Sequence, residues 1–420
     1  MKLFSLIFTL VFCWAPAVYA IDLLEMQNLA INDRQVVRQF MTTLEQSEKD
    51  IVRAKGGYYP SVDIDYIGNS LDEARLTENK QNSLARGRVS LNVFAGFRDK
   101  YNILTAEKLK EVEQYRLQSV KQDIQLNVAL AYLNVAERRA NRKVAEDAFK
   151  TLEKLYQDGQ SRFEVGLIGK NELLKFRVDY DNADITLKAA NASLERSVNT
   201  LSRQVGSEIK FLDLNFAEFQ ELPAVIDKDA YMSKMLVERS EIKVLESVIA
   251  ATVAEVEAEK SDYYPQVDVV GSYSRYDDDF INGGGSEDDD ELRAQLVMTM
   301  NLFQGFTTEA TVARAKLETR SVQYELDELK NDLVTDLNNL HISFEVSYEN
   351  VEVAKRSIEQ AEENLRITQL KYDEGLQRQL DLLDAVTDLS RAQFNLVVVL
   401  QTLFSNDFQL TRMIDGFKYH

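Results

Sequence analysis

The 420-residue sequence contains one cysteine and one tryptophan, which are adjacent at Cys13 and Trp14. Both lie in residues 1–20, which have the pattern of a cleaved secretory signal peptide: an early lysine, a short apolar stretch and a small residue, Ala20, before the cut. The mature chain would then contain no cysteine, which excludes a disulfide framework and thiol chemistry. Because large residues rather than small ones precede Cys13, we expect no lipid anchor.

Long apolar runs and catalytic motifs are also absent. No stretch of about 18 apolar residues follows the signal peptide, so the sequence predicts no transmembrane helix. The two histidines, His341 and His420, are isolated, and the sequence contains no zinc motif, phosphate-binding glycine loop or nucleophile motif. We therefore expect neither an enzyme nor a cofactor.

Basic residues are outnumbered by acidic ones, 49 to 69, which gives a formal net charge of -20. Such a surface repels nucleic acid and attracts cations, although a solvated acidic exterior explains the charge without any partner. The acidic stretch at residues 277–291 lacks the ligand spacing of an EF-hand, which leaves a disordered loop and loose cation binding as alternatives.

Proline is scarce, and its positions show an internal repeat. After the signal peptide two of the three prolines lie in the same hexapeptide, YYPSVD at 58–63 and YYPQVD at 263–268. Three more segments recur in the same order, at nearly the same spacing: NVFAGF and NLFQGF, RFEVGL and KYDEGL, and a double leucine. The chain is therefore predicted to be a tandem duplication, with repeats at 21–210 and 229–420 and a linker at 211–228.

Each repeat contains one predicted β-hairpin, at 60–95 and at 265–304. The apolar residues Val62, Ile64 and Tyr66 alternate with polar ones, and the second hairpin repeats this pattern on a return strand that we expect to include Leu296, Met298, Met300 and Leu302. The two prolines that precede the hairpins mark helix-to-strand junctions.

Aromatic residues lie where each hairpin starts or finishes. They are Tyr58, Tyr59, Phe94, Phe97, Tyr263, Tyr264, Phe303 and Phe306. Since both ends of a hairpin lie on the same side, these aromatics are expected to form a belt at one membrane interface, while the long polar connections resemble extracellular loops. A soluble sheet capped by aromatics is the alternative.

Two segments are too long for the core of a globular domain. The 62 residues between Gly96 and Gly159 and the 69 between Gly305 and Gly375 contain neither proline nor glycine, so each could form a helix of roughly 90 to 105 Å. Apolar residues recur at helical spacing along both, and a short turn and a return helix follow each. Four strands cannot close a barrel in lipid, so several chains must combine their strands; three would give twelve strands and a lumen.

These features resemble the TolC family of outer-membrane channel proteins. The most specific parts are SRFEVGLIGKNELLKFRVDYDNA at 161–183 and KYDEGLQRQLDLLDAVTDL at 371–389, which are similar to the helix-turn-helix tips of the family. The resemblance implies an α+β fold dominated by long helices: a homotrimer with a twelve-stranded β-barrel in the outer membrane, four strands per chain, continued by a periplasmic helical barrel. It also implies contact with outer-membrane lipid, a periplasmic adaptor (membrane fusion) protein and an inner-membrane ABC transporter or RND-type pump.

The resemblance also assigns roles to residues near the second tip. Asp381 and Asp384 correspond to two aspartates that line the closed end of the tunnel as a cation filter. Tyr372 corresponds to a tyrosine that links neighbouring helices, and Glu172 to an acidic residue that receives such a link. The family arginine of this network is replaced by Gln377, and Arg378, one residue further, is a candidate substitute.

The two turns are implied to be the adaptor-docking sites. Their residues are Phe163, Val165, Gly166 and Leu167 in the first turn, and Gly375 and Leu376 in the second. Glu374 replaces the valine of the family in the second turn, so we expect adaptor choice to differ. Glycine in a tight left-handed turn between helices also needs no partner to explain it.

The resulting functional prediction is a passive, gated exit duct, with type I secretion slightly favoured over drug efflux. The alternatives are a trimeric adhesin or envelope-spanning structural protein without a conducting lumen, and a soluble periplasmic enzyme or binding protein. The alternating hairpins and acidic tips argue against both alternatives.

Overall fold

The computed structural model describes residues 21–74, 80–277 and 290–418. The predicted signal peptide and most of the acidic stretch at 277–291 lie outside these residues. The helices are α1 (Leu23–Asp33), α2 (Gln35–Lys55), α3 (Arg98–Glu164), α4 (Lys170–Val205), α5 (Lys228–Glu238), α6 (Ser240–Glu259), α7 (Thr307–Asp373) and α8 (Gln379–Met413). The strands are β1 (Ser61–Ser70), β2 (Gln81–Ala95), β3 (Gln266–Asp277) and β4 (Asp290–Thr299).

The four strands form one antiparallel sheet in the order β1-β2-β3-β4. Pairing of Val62 with Val89 and of Val269 with Leu296 places apolar side chains on one face, as the alternation predicts. This face is uncovered within the chain: Ile64 is 86% exposed and Leu292 is 84% exposed. Among the described residues, β1 and β4 are the two edges of the sheet.

The return strand of the second hairpin is shorter than predicted. β4 ends at Thr299, so Met300 and Leu302 lie beyond it. The reason is local, because the side-chain carbonyl of Asn301 accepts a hydrogen bond from the backbone N–H of Phe303 at 3.1 Å, which turns the chain away from the ladder.

The two long helices each contain 67 residues, a length of about 100 Å. In the half near the sheet the helices pack in the order α2-α3-α6-α7, and in the half near the turns α4, α3, α8 and α7 pack in that order. The helix α3 is therefore an inner element along its whole length, while α7 is an edge. No helix of the described ranges is both long enough and apolar enough to cross a membrane.

Each repeat has its own apolar core, and the linker covers the first. Tyr132 and Leu201 are fully buried in the first core, as Leu337 and Leu403 are in the second. The linker forms two short 3₁₀ turns, and its Phe216 stacks on Tyr132 with ring centroids 5.2 Å apart.

A buried ion cluster joins the end of the chain to its middle. The side chain of Arg412 is 5% exposed; its Nε is 2.7 Å from Asp123 on α3, and its other nitrogens contact Glu241 on α6 and Asp415. Burial raises the pKa of Glu241, but Arg412 and Arg239 outweigh this and leave it lowered. Ion pairs thus connect α3, α6 and the C-terminal end of α8, which are distant in sequence.

Asp407 on α8 has a different environment, because burial alone raises its pKa to about 6. An unfolded aspartate has a pKa of about 3.9, so the folded state binds more protons between these values, and the free energy of unfolding should fall as the pH rises from about 4 to 6. We expect Asp407→Asn to remove this slope and to stabilise the protein at pH 7 by at most about 3 kcal/mol, the free energy that corresponds to the difference between the two pKa values. Denaturant unfolding across this pH range measures both effects.

The exposed Asp388 lies on the same helix and provides the control, because Asp388→Asn should leave the slope unchanged. A wild-type slope retained in Asp407→Asn would contradict the assignment.

Candidate functional site at the helical turns

The two turns have the same geometry in both repeats. In the first, Gly166 has a φ of 76°, and Leu167 N–H donates to the carbonyl of Arg162 at 2.8 Å. In the second, Gly375 has a φ of 75°, and Leu376 N–H donates to the carbonyl of Lys371 at 2.8 Å. This is a glycine-terminated helix end, in which a left-handed residue allows the last carbonyls to be satisfied.

The turns are joined to one another by side chains of both. Arg162 forms an ion pair with Asp373 at 2.7 Å, and its guanidinium lies 5.0 Å from the centroid of the Tyr372 ring. The side chain of Gln379 donates to the backbone carbonyl of Glu172 at 2.7 Å. These contacts hold α3, α4, α7 and α8 together at one end of the molecule.

A small apolar core lies above the turns. Its buried members are Leu155, Phe176, Leu382, Leu383 and Val386. Gly159 permits the close approach of α4, since a Cβ there would lie 2.8 Å from the Phe176 ring. The double leucine of the second repeat, Leu382 and Leu383, is therefore part of this core.

The Tyr372 side chain packs against Phe176, with ring centroids 6.3 Å apart. Its hydroxyl is buried and makes no hydrogen bond within the described part of the chain. Burial raises the pKa of Tyr372, Arg162 opposes this, and Glu172 adds to it. Within one chain the Glu172 carboxylate instead accepts from the backbone of Gly169 at 3.3 Å, so the link between Tyr372 and Glu172 stays a proposal.

Asp381 lies in the first turn of α8, where its carboxylate accepts a hydrogen bond from the backbone N–H of Arg378 at 3.3 Å. The side chain of Gln377 donates to it at 3.0 Å, whereas the Arg378 guanidinium is 3.5 Å away. The glutamine that departs from the family pattern is thus the closer partner of Asp381.

Asp384 is exposed one turn further along α8, at the mouth of a groove of about 350 Å³ between α3, α4 and α8. Lys175 and Asp179 line the same groove. Burial raises the pKa of Asp179, Lys175 opposes this, and Asp384 adds to it. Two carboxylates and one ammonium therefore share this groove.

Sequence reasoning missed several of these residues. Arg162, Lys175, Asp179 and Gln379 were not among the candidates. Arg162 nevertheless lies against the Tyr372 ring, Gln379 donates to Glu172, and the other two line the groove that contains Asp384. For Arg162 a signal was present, since a basic residue precedes the aromatic one in both turns of the repeat. For the other three no such signal exists, because their contacts depend on how α4 packs against α8.

The remaining candidates are placed at two ends of the molecule. The turn residues Val165, Leu167 and Leu376 are 71%, 72% and 72% exposed. The aromatic residues predicted as a belt flank the strand ends that meet the helices, with Phe94–Phe97 and Phe303–Phe306 packed edge to face at 5.1 and 5.4 Å. No group of three or more histidine, cysteine or acidic side chains suited to a metal occurs in residues 21–74, 80–277 and 290–418.

Curated relatives are similar over most of this chain. Outer membrane protein TolC of Escherichia coli is 21% identical over 309 residues, which cover 70% of this chain and 62% of that protein. The chain thus spans less than two thirds of the length of the E. coli protein. Toluene efflux pump outer membrane protein TtgC of Pseudomonas putida is 22% identical over 365 residues, which cover 82% of this chain and 70% of TtgC.

Solved structures share the fold. CusC superimposes with a TM-score of 0.81 at 15% identity, over 94% of this chain and 92% of CusC. VceC of Vibrio cholerae superimposes with a TM-score of 0.78 at 17% identity, over 95% of this chain and 97% of VceC. The predicted fold class, long helices with four strands per chain, is therefore confirmed for the single chain.

These relatives are outer-membrane channel and efflux proteins rather than enzymes, which confirms the predicted localisation and the expectation that the chain has no catalytic role. The sequence profile described as outer membrane efflux protein matches residues 27–207 and 231–415, which include both helical hairpins and both sheet hairpins. The resemblance to TolC is thus supported by sequence and by fold, and the chain belongs to the outer membrane efflux protein family.

Proposed function

We propose that three copies of this chain form the outer-membrane exit duct of a tripartite export system. The observation that carries this proposal is the sheet, whose apolar face is uncovered. The outer edges of β1 and β4 pair with no further strand in the described part of the chain. Open edges are costly in hydrocarbon, and joining β4 of one copy to β1 of the next gives a closed barrel of twelve strands. The helical edges α4 and α7 would meet in the same way, which continues the duct into the periplasm.

The turns are the proposed closed end of this duct. Threefold symmetry would bring six carboxylates, from Asp381 and Asp384, around the axis, where they would attract cations and repel anions. The exposed apolar side chains of Val165, Leu167 and Leu376 lie at the same end and form the proposed docking site of a periplasmic adaptor. An inner-membrane transporter would supply the energy, and no chemistry occurs on the cargo.

The gate assignment predicts a loss of charge selectivity. Purified mature wild-type protein in a planar bilayer should give small, cation-selective steps, and the double variant Asp381→Asn, Asp384→Asn should lose most of the cation preference because the six charges are removed. The matched control is Glu363→Gln, which removes an exposed carboxylate held by Arg366 on α7.

Reversal potentials in a salt gradient distinguish the outcomes. Channels with unchanged selectivity in the double variant would overturn the gate assignment and keep the duct. A well-folded trimer that gives no steps would overturn the duct and favour the structural or adhesin alternative.

The cargo is either a secreted protein or a small toxic molecule. The sequence slightly favours type I secretion, whereas relatives such as TtgC and the antibiotic efflux pump outer membrane protein ArpC are named for small-molecule efflux. Deleting the gene and measuring both secreted protein and sensitivity to toluene and antibiotics separates the two cargo classes.

A further inference from the structure

A cavity of about 390 Å³ lies midway along the helices, between α3, α8 and the linker, away from the turns and the sheet. We propose that it binds the hydrocarbon chain of an anionic amphiphile, a long-chain carboxylate, with the carboxylate at Arg139. The inference does not depend on conduction through the duct, since the cavity is formed within one chain.

The walls of the cavity are mostly apolar, with Gln401 of α8 as an uncharged polar member. They are formed by Leu133, Ala136 and Ala140 from α3, by Phe216 and Phe219 from the linker, and by Val397, Leu400 and Phe404 from α8. The cavity volume falls within the range of pockets that enclose small ligands, about 300–1,000 Å³. The cavity exists because Ala136 and Ala140 of α3, which lie opposite the three phenylalanines, have short side chains that leave the space unfilled.

The aromatic walls are held in place by ring contacts with Tyr132 and with one another. Phe216 stacks on the buried Tyr132, and Phe219 packs edge to face on Phe404 with centroids 5.0 Å apart. The linker is therefore fixed to both helices, and the cavity is preformed. The binding of a ligand therefore requires little free energy for rearrangement of the protein.

The charges at the rim select for an anion. The guanidinium of Arg139 lies 5.0 Å from the Phe216 ring centroid and forms no ion pair with the described residues. The other rim charges are engaged. Lys143 is 2.7 Å from Asp147, and the Glu137 carboxylate accepts from the amides of Asn134 and Asn141 at 3.0 and 3.1 Å and lies 3.7 Å from the Arg138 guanidinium. Arg139 thus remains to bind a carboxylate in the forked geometry that guanidinium groups favour.

The position of the cavity argues for a small ligand rather than a second copy of the chain. Its walls belong to α3 and α8, which are neighbouring inner helices, whereas the edges that a second copy would cover are formed by α4 and α7. The volume is also too small for a helix, which is about 10 Å across with its side chains.

Photo-crosslinking tests the site in the mature protein, embedded in detergent-free nanodiscs of phosphatidylcholine. A diazirine-bearing dodecanoate should label residues 133–140, 216–219 and 397–404, and unlabelled dodecanoate should compete. Arg139→Met keeps an apolar stem and should weaken competition by dodecanoate about tenfold, while competition by the neutral dodecanol stays unchanged. Arg391→Met, which removes an exposed arginine of α8 that does not line the cavity, should behave as wild type.

A second variant tests the cavity itself. Ala140→Trp fills the space and should abolish labelling of these three segments, and an unchanged melting temperature verifies that it folds. The proposal is overturned if labelling of the three segments persists in Ala140→Trp, or if wild type is labelled elsewhere only. Equal competition by dodecanoate in wild type and Arg139→Met would overturn the role of Arg139 and the selection for anions.

Discussion

Arg412→Met is expected to lower the free energy of unfolding by about 3–5 kcal/mol, the cost of breaking a buried ion pair by removing one partner. Asp415, whose side chain is 3% exposed, would lose its ion-pair partner in the interior, and Glu241 would keep Arg239 as its cation and Ser119 as a donor. The Arg412 guanidinium also donates to Ser119, so donors are lost together with the charge. Thermal and denaturant unfolding of the mature protein measure the loss.

Arg391→Met is the matched control, because it removes an arginine from the same helix whose ion pair with Asp388 is exposed to solvent. A surface pair of this kind contributes less than about 1 kcal/mol. If Arg391→Met and Arg412→Met lowered the free energy of unfolding equally, the buried ion cluster would not stabilise the fold more than a surface ion pair does.

Gly96→Ala should be more damaging than Gly305→Ala, although the two glycines occupy the same place in the two repeats. Both have left-handed backbones, with φ of 63° and 60°, which a side chain disfavours by about 1–2 kcal/mol. At Gly96 an added Cβ would also lie 2.5 Å from the carbonyl oxygen of Ser261, whereas at Gly305 nothing lies within 4 Å. The clash should add about 1–3 kcal/mol.

Unfolding free energies of the two variants, measured in parallel, separate backbone strain from crowding. The Gly305→Ala value reports the strain alone, so the difference between the variants reports the contact with Ser261. Equal destabilisation would mean that the backbone at residue 261 moves aside without cost.

The features that repeat or alternate could be predicted from the sequence. The absence of proline and glycine over long segments predicted α3 and α7, because only these residues disrupt a helix strongly. The alternation after Pro60 predicted β1 and β2 for a different reason, since side chains on a strand point to its two faces with a period of two.

The features that depend on packing could not be predicted. The end of β4 at Thr299 is set by a hydrogen bond from one asparagine side chain, which outweighs the apolar alternation that continues to Leu302. The cavity beside Arg139 exists because the linker packs against Tyr132 and supplies two of the aromatic walls. The sequence of the linker does not indicate where it packs on the helices. The contacts of Asp381 could not be predicted for a similar reason, because the geometry of the turn determines that Gln377 lies 3.0 Å and Arg378 3.5 Å from its carboxylate.

The ion cluster at Arg412 has a mechanical consequence. It fixes α8 at its C-terminal end, while the other end is held at the turns by the hydrogen bond from the Gln379 side chain to the backbone carbonyl of Glu172. A helix anchored in this way is a lever whose arm, from Arg412 to Asp384, is about 42 Å long. A rotation of about 5° at the pivot displaces Asp384 by about 4 Å over this arm. Small angular changes near the middle of the molecule are therefore amplified into movements wider than a water molecule at its tip.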